Sequence, residues 1–290
     1  MEKFIKRFFW FAVVVVFLNL SYLLLLLLFS PGLKKIYEIS RFENQKFETI
    51  ILGNSMALDA IDAEYLTKNG MSTYNLSVAG DHVSTSLMLL EDYLKNNNKP
   101  EMVVVGLSSA IGRSYLNPVA FTNPEVEFFY HPNLWSNIIN PPLLNFQWLA
   151  IDLLKIVISK DHRNATMVLG QWKTKKIIQD QARLNYSNKN VINYHDPYLA
   201  KIIALCKQQN IKIVLTELPG SKDKRNSLPF EKEYIIGNEK LITIYNLNNF
   251  EVSESIIDAS TDWLAPDHLN QFGGEKITAY LLKNVFQKQK

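Results

Sequence analysis

The sequence predicts an α/β domain with a parallel sheet covered by helices on both faces, carried on one N-terminal transmembrane helix and interrupted by a helical insertion. Three observations support this fold class. One apolar segment is long enough to cross a membrane, short apolar runs alternate with amphipathic runs beyond it, and a proline-rich stretch breaks that alternation. The 290 residues, of which 47% are apolar and 20% are charged, can enclose a sizeable core.

The charge and the cysteine content exclude several classes of protein. Lys and Arg number 31 against 28 Asp and Glu, and this net charge of +3 does not indicate a nucleic-acid partner. The single cysteine, Cys206, excludes an intramolecular disulfide and a multi-thiolate metal site, and we expect it to be a buried structural thiol. The sequence shows no glycine-rich phosphate loop and no metal-ligand spacing, so we expect no cofactor and no metal.

The first 30 residues predict a transmembrane anchor. Phe8–Phe29 is a run of 22 residues in which only Asn19 and Ser21 are clearly polar and none is charged. As a helix this run is about 33 Å long, which is enough to cross a bilayer core. A cleaved signal peptide is the alternative, but its apolar region would be about 7–15 residues long, and the residues after Phe29 make a poor cleavage site.

The position of this helix, rather than its flanking charges, predicts its orientation. Lys and Arg are tied at three on each side of the run. A single span near the N-terminus with a long polar domain behind it is typical of a signal anchor. We therefore expect a single-pass protein of the inner (cytoplasmic) membrane with residues 31–290 outside the cytoplasm. Residues 31–45, polar and mixed in charge, are predicted to be a tether, and residues 46–290 the α/β domain.

Alternating runs beyond the tether predict the strands and helices of the domain. Short apolar runs that end in turn residues predict strands, and apolar residues that recur every three or four positions predict helices. The predicted strands are Phe47–Leu52, Ser72–Val78, Met102–Leu107, Ile211–Leu215 and Leu241–Tyr245. The predicted helices are Ala57–Asn69, Val83–Lys95, Pro197–Gln209 and Phe272–Gln287.

Residues 112–190 interrupt this alternation. They contain several prolines and two helix-like runs, Leu143–Ser159 and Thr166–Ala182. This patterning is too regular for a structureless loop, so we expect a helical insertion or lid.

The polar residues that follow the first two predicted strands are candidates for a site, because functional groups gather at the carboxyl ends of parallel strands. Ser55, in Gly53-Asn54-Ser55, would begin a helix, where free backbone N–H groups can stabilise an oxyanion. Gly80 follows the second strand, and its N–H could point into the same crevice. Serine and asparagine are also common helix caps, and Gly80 also suits an ordinary turn, so neither feature alone assigns a function.

A histidine precedes the last predicted helix. His268, in Asp267-His268-Leu269-Asn270, could accept the Ser55 proton and return it to a leaving group. Alone, His268 could equally be a solvated surface residue. The combination of serine, glycine and histidine at these three places favours a nucleophile and its base.

These three residue sets, in this order, resemble the SGNH (GDSL-type) hydrolase superfamily over residues 46–111 and 196–287. The resemblance makes Ser55 the nucleophile, Gly80 the glycine whose N–H contributes to the oxyanion hole, and His268 the base. It also implies a three-layer, flavodoxin-like sandwich. The anchored architecture is similar to bacterial membrane-tethered SGNH-like proteins that serve cell-envelope polysaccharides, including the DltD-like branch and proteins associated with polysaccharide O-acyltransferases.

Two positions depart from the family pattern. Ser108 stands where the family has an asparagine that donates to the oxyanion, and losing such a donor lowers the rate on the order of 10²–10³-fold unless Ser108 substitutes for it. Ala265 stands where the family has an aspartate three residues before the histidine. The orienting carboxylate is then expected from Asp262, with Asp267 or no acid as the alternatives, because a residue adjacent to the histidine usually points away from it.

The resemblance implies a membrane-anchored, extracytoplasmic serine esterase or O-acyltransferase that acts on an acylated carbohydrate or other cell-envelope polymer. Ser55 would attack the acyl ester, His268 would shuttle the proton, and Gly80 would help to hold the oxyanion. The alternative, favoured by Ala265 and Ser108, is a catalytically degenerate scaffold or accessory protein that works with other envelope-assembly proteins. A flavodoxin-like nucleotide-binding module is a third possibility, but the sequence lacks its phosphate loop.

Overall fold

The computed structural model describes residues 1–108, 124–130, 141–158, 165–178, 192, 194–220, 225–237 and 241–288. The chain divides into two compact units. We call Met1–Arg41 with Pro124–Arg163 the anchor unit, and Phe42–Asn123 with Asn164–Lys290 the sheet unit. The expected insertion is thus shared between both units, and its residues 112–123, 131–140, 159–164 and 179–190 lie outside the described residues.

The helices, numbered along the chain, are α1 (Glu2–Phe29), α2 (Pro31–Ile39), α3 (Ser55–Ala60), α4 (Ala63–Lys68), α5 (Val83–Asn96), α6 (Pro124–Tyr130), α7 (Pro142–Asn145), α8 (Gln147–Ile158), α9 (Pro197–Gln208), α10 (Phe250–Ile256) and α11 (Gln271–Leu281), which continues into a π-helical turn (Leu282–Phe286). The strands are β1 (Thr49–Gly53), β2 (Thr73–Asn75), β3 (Met102–Leu107), β4 (Ala165–Val168), β5 (Gln171–Thr174), β6 (Lys212–Glu217), β7 (Glu231–Ile235), β8 (Leu241–Asn246), β9 (Trp263–Ala265) and β10 (His268–Leu269).

Helix α1 has the length and composition of a membrane-spanning helix, as the sequence predicts. Its 28 residues have a mean hydropathy of 2.7 in the most apolar window, and only 17% of that window is buried within the protein. Helix α2 occupies most of the segment that the sequence analysis assigned to a tether. Ser30 accepts a hydrogen bond from the Leu33 backbone N–H and Pro31 is the first helical residue, an arrangement that favours helix initiation. Leu33 and Ile36 are buried, so this segment packs as a helix despite its charges.

The sheet unit is a mixed α/β fold around a mostly parallel sheet of six strands, which confirms the coarse fold class. The strand order is β2-β1-β3-β6-β8-β7, and every neighbouring pair is parallel except β7 with β8. All five predicted strands are present, and β3 has the predicted bounds. The edge strand β7 was not predicted, because its Glu-Lys-Glu sequence lacks the apolar run by which the other strands were identified.

Three predicted helices differ from the structure. The helix-like run Leu143–Ser159 is divided into α7 and α8, because Phe146 between them leaves the helical conformation with a φ of −116° and a ψ of 26°, and residue 159 lies outside the described residues. The single helix expected over Ala57–Asn69 is divided into α3 and α4, because Asp62 caps α4 by accepting a hydrogen bond from the Tyr65 N–H at 2.8 Å. The helix expected over Thr166–Ala182 is instead the hairpin β4–β5 up to Thr174, and residues 179–182 lie outside the described residues. Leu169 and Gly170, the two turn residues, both have positive φ angles, as in the tight turns that join antiparallel strands.

The last helix packs closely on the helix that begins at Ser55. A Cβ on Gly274 would lie 2.7 Å from the Asp59 carbonyl oxygen, so α11 and α3 meet where only glycine fits. Thr278 of α11 accepts a hydrogen bond from the Asp62 N–H at 2.7 Å, and its hydroxyl proton lies between the Gly274 carbonyl at 2.8 Å and the Ala60 carbonyl at 3.3 Å. This packing brings the chain just before α11 next to the start of α3.

Candidate active site

The turn after β1 is a close-packed link that requires glycine. Gly53 has a φ of +143°, and a Cβ there would lie 2.7 Å from the Ala57 Cβ and 2.8 Å from the Gly106 carbonyl oxygen. Asn54 caps α3, because its Oδ1 accepts a hydrogen bond from the Met56 N–H at 3.0 Å. Ser55 is therefore the first residue of α3 rather than its cap, and its side chain is partly exposed.

A small hairpin presents His268. Strands β9 and β10 pair His268 with Ala265, and the turn between them consists of Pro266 and Asp267, the latter with a φ of +62°. The carboxamide of Asn270 secures the base of this hairpin. Its oxygen caps α11 through the Phe272 N–H at 3.0 Å, and its nitrogen donates to the Thr261 carbonyl at 2.6 Å.

The structure brings Ser55 and His268 into hydrogen-bond contact, although 213 positions separate them in sequence. Ser55 Oγ lies 2.8 Å from His268 Nε2, and His268 Nδ1 lies 3.0 Å from the Pro266 carbonyl oxygen. A carbonyl oxygen can only accept a hydrogen bond, so Nδ1 carries the proton of the neutral ring. Nε2 is then free to accept the Ser55 hydroxyl proton, which is the geometry of a serine nucleophile and its general base.

Asp262 does not orient His268, contrary to the sequence prediction. Its carboxylate is fully buried and accepts hydrogen bonds from the Asp258 N–H at 2.8 Å, the Thr261 hydroxyl at 3.0 Å and the Lys276 ammonium at 2.7 Å. These contacts tie the loop before β9 to α11. The atom that contacts His268 Nδ1 is instead a backbone carbonyl, which no side-chain pattern in the sequence reports.

Gly80 follows β2 in an exposed turn with a φ of +71°. The two residues after it, Asp81 and His82, line a cavity of about 10 Å³ together with Gly53 and Asn54. The turn that contains Gly80 therefore borders the turn that precedes Ser55. The cavity itself has room for about one water molecule and is too small for a substrate. Ser55, which follows Asn54 in the chain, is the first residue of α3. The first N–H groups of a helix have no partner within the helix, so the Ser55 N–H makes no intrahelical hydrogen bond.

Ser108 lies behind the Gly53–Ser55 turn. Its side chain is 2% exposed, and its Oγ accepts a hydrogen bond from Asn54 Nδ2 at 2.6 Å. Asn54 thus links the end of β3 to the start of α3, a positioning role that the sequence analysis did not assign. Direct donation from Ser108 to an oxyanion stays a prediction.

The carboxyl end of β6 holds a buried ion pair. Glu217 and Lys232 are 4% and 6% exposed and contact each other, and the Tyr194 hydroxyl donates to Glu217 at 3.0 Å. Burial, followed by the nearby Glu217 charge, raises the pKa of Tyr194. Tyr194 therefore stays neutral and acts as a donor that satisfies a buried carboxylate. In the described part of the chain, no group of three or more His, Cys, Asp and Glu side chains is arranged to hold a metal ion.

The chain was compared with known proteins in three ways. A scan against protein-family models, a search of curated proteins and a search of solved structures each gave no match. The site geometry itself, with Ser55 Oγ in hydrogen-bond contact with His268 Nε2, is the observation that bears on function.

Proposed function

We propose that this protein is a serine esterase or O-acyltransferase in which Ser55 is the nucleophile and His268 the general base. The observation that carries the proposal is the 2.8 Å contact between Ser55 Oγ and His268 Nε2. The partner of Nδ1, the Pro266 carbonyl, supports it by fixing the tautomer that a base requires. A serine that served only as a helix cap would have no need of this histidine, and Asn54 already caps the helix.

The chemistry proceeds in two halves. Ser55 Oγ attacks the acyl carbon and its proton passes to His268 Nε2, which gives a tetrahedral oxyanion and an imidazolium. The N–H groups of Ser55 and Gly80 stabilise the oxyanion, the carbon–oxygen bond to the leaving alcohol breaks, and that alcohol takes the proton from Nε2. Water or a sugar hydroxyl then attacks the acyl-serine, with His268 acting first as base and then as acid. This step releases the acyl group and restores Ser55.

Because the group that contacts His268 Nδ1 is an uncharged carbonyl, we expect a low kcat. In the serine protease triad, replacing the carboxylate by an amide lowers kcat about 10⁴-fold, mainly because the histidine adopts the wrong tautomer. The Pro266 carbonyl preserves the correct tautomer but adds no negative charge beside the imidazolium. We therefore expect kcat to be lower than that of a complete triad, but by less than about 10⁴-fold.

We further propose that the chain is a divergent member of the SGNH hydrolase superfamily. Strands β2, β1, β3, β6 and β8 form a parallel array whose order corresponds to the 2-1-3-4-5 order of flavodoxin-like sheets. Ser55 follows β1, Gly80 follows β2 and His268 precedes the last helix, in the order of the family's blocks. Ala265 and Ser108 remain departures from the family pattern.

The proposed substrate is an acylated carbohydrate or related polymer of the cell envelope. The length and apolar composition of α1 support membrane anchoring, and its N-terminal position supports an extracytoplasmic sheet unit. A scaffold or accessory protein in polysaccharide assembly is the second candidate. It is favoured by Ala265, which provides no acid, and by Ser108, which is enclosed and bonded to Asn54.

Ester hydrolysis by the purified full chain distinguishes the two candidates. Chromogenic esters from acetyl to octanoyl should be cleaved by wild type, and Ser55→Ala should lose at least about 10³-fold in kcat/KM. Ser255→Ala is a matched control, because that exposed hydroxyl donates to the Val252 carbonyl of its own helix at 2.7 Å, and it should stay within twofold. Thermal melts should place both variants near wild type, since the cap of α3 is Asn54. A well-folded wild type that cleaves none of the esters would favour the scaffold.

A further inference from the structure

The anchor unit contains a second apolar element that packs along α1. Helices α7 and α8 contact the C-terminal half of α1 through a cluster centred on Tyr22, Leu26, Leu33 and Phe146. Leu149, Ala150 and Leu153 of α8 pack against the same cluster. The α1 residues in this cluster all lie at or beyond Tyr22, so α8 follows the half of α1 that leads to Phe29.

Two side chains within the apolar run of α1, Asn19 and Tyr22, form hydrogen bonds with backbone groups at the two ends of α7. Asn19 Oδ1 accepts a hydrogen bond from the Leu143 N–H at 3.0 Å, at the first turn of α7. The Tyr22 hydroxyl donates to the Phe146 carbonyl at 2.8 Å, where α7 ends. Backbone groups within a hydrocarbon layer need protein partners, because no water is present to replace them. Asn19 and Tyr22 supply such partners.

The outer surface of the same element is apolar. Leu144, Trp148, Ile151 and Leu154 are between 46% and 61% exposed. The last three recur every three residues along α8, so they lie on one side of it. Helix α1, on which this element packs, also exposes apolar side chains, with Leu24 at 59% and Leu28 at 65%. Exposed apolar surface on both packed helices marks a contact with lipid or with another protein.

The position of the contacts along α1 gives their depth. At a rise of about 1.5 Å per residue, Tyr22 lies about 10 Å and Asn19 about 15 Å before the end of α1 at Phe29. In a hydrocarbon core about 30 Å thick that ends at Phe29, Asn19 lies at the middle of the bilayer and Tyr22 about 5 Å from it. Helix α8 has 12 residues and is about 18 Å long, which matches the distance from that depth back to the surface.

We propose that residues 142–158 are a re-entrant segment that lies within the leaflet nearest the C-terminal end of α1. The turn at α7 is held near the bilayer centre by Asn19 and Tyr22, and α8 returns to the headgroups with lipid acyl chains against Leu144, Ile151 and Leu154. This inference rests on the anchoring role of α1 given under the proposed function. Lipid is the occupant favoured, because the segment packs directly on the anchor helix and both expose apolar side chains.

Spin labels on single cysteines measure this depth in the intact protein. The full chain, reconstituted in vesicles of phosphatidylcholine and phosphatidylglycerol, would carry a nitroxide at Leu144→Cys or Leu154→Cys. Leu24→Cys in α1 is the membrane control, and Lys95→Cys, on an exposed side of α5, is the aqueous control. Cys206 can stay in place, because its thiol is buried and burial raises its pKa to about 12. Collision rates with oxygen and with a water-soluble nickel chelate give the position of each label.

The expected result is high oxygen and low nickel accessibility at both segment positions, with the label at Leu144 at least as deep as the one at Leu24 and deeper than the one at Leu154. Labels at Leu144 and Leu154 that behave like the one at Lys95 would place the segment in water and overturn the inference. Low accessibility to both reagents would mean that protein, such as a second copy of the chain, covers this face, and would also overturn it. A label at Leu24 that behaves like the one at Lys95 would overturn the anchoring role of α1 as well. A wild type that cleaves no ester would overturn the esterase proposal but would affect neither the anchor nor the re-entrant segment.

Discussion

Replacing Asp262 by asparagine tests whether this buried carboxylate acts on His268 or only on the loop around it. The structure predicts the second. Oδ2 accepts hydrogen bonds from the Asp258 N–H and from Lys276, and Oδ1 accepts one from the Thr261 hydroxyl. An asparagine oxygen at the Oδ2 position keeps the first two hydrogen bonds, and the Thr261 hydroxyl can rotate to accept from the amide nitrogen. The main loss is then the charge that faces Lys276.

The magnitude follows from these contacts. A hydrogen bond that involves a charged group contributes about 1.5–3 kcal/mol, and the half-exposed Lys276 retains contact with water, so we expect a loss of about 1–2 kcal/mol. For a folded unit of this size, that loss corresponds to a fall in Tm of about 2–8 °C. Because His268 Nδ1 is held by Pro266, the reaction of Ser55 with a fluorophosphonate should change less than threefold in the folded variant.

The assay combines thermal unfolding with the rate of fluorophosphonate labelling, measured well below the Tm of the variant. Asp258→Asn is the matched control, because it changes a neighbouring exposed carboxylate that accepts hydrogen bonds from the Ser260 N–H at 2.8 Å and from the Ser260 hydroxyl at 2.6 Å. A folded Asp262→Asn protein whose labelling is slowed a hundredfold or more would show instead that the Asp262 charge does reach His268.

Two further predictions concern the stability of the sheet unit. Gly170→Ala should lower the unfolding free energy by more than about 2 kcal/mol, because its Cβ would lie 2.1 Å from the Asn75 carbonyl oxygen. Gly70→Ala, at a similar φ but with open space around it, should lose only about 1 kcal/mol, and equal urea midpoints for the two variants would contradict this account. Hydrogen bonds from Lys173 lower the pKa of Glu64 to about 2, so the stability gained from its charge is complete above pH 4.5 and is lost as the pH falls towards 2. Because Glu64 is 31% exposed, we expect the unfolding free energy to fall by about 1–2 kcal/mol, as measured by urea titration at each pH. The fall should be smaller in Lys173→Met, and identical pH profiles for the two proteins would contradict this prediction.

Features that depend on local pattern could be predicted from the sequence. The continuous apolar run Met102–Leu107 identifies a strand buried on both faces, and α1 and α5 are equally clear from their composition and periodicity. The contact between Ser55 and His268 could be anticipated only because both residues fall at the ends of predicted elements at one edge of the sheet. Sequence spacing does not show that Ser55 and His268 act together, and the resemblance to a hydrolase family indicated this pair.

Features that depend on backbone geometry could not be predicted in this way. The partner of His268 Nδ1 is the backbone carbonyl of Pro266, and every residue has such a group. The turn that places this carbonyl depends on the positive φ of Asp267, which the sequence pattern does not report. The hairpin β4–β5 stands where the sequence predicts a helix, because its turn lies at Leu169-Gly170, where a leucine adopts a positive φ that its residue type does not indicate. The helix α2 did have a sequence signal, Ser30-Pro31, which the surrounding charges obscured.

The proposed function requires that Ser55 is a reactive nucleophile activated by His268. Fluorophosphonate treatment of the folded full chain at pH 8, followed by mass spectrometry of its peptides, measures this reactivity at a single residue. We expect an adduct on Ser55 that is absent from Ser55→Ala and forms at least about 10²-fold more slowly in His268→Asn, whose amide reaches the Nδ1 position but leaves nothing at Nε2. A folded wild type without an adduct on Ser55, or with equal labelling of His268→Asn, would contradict it.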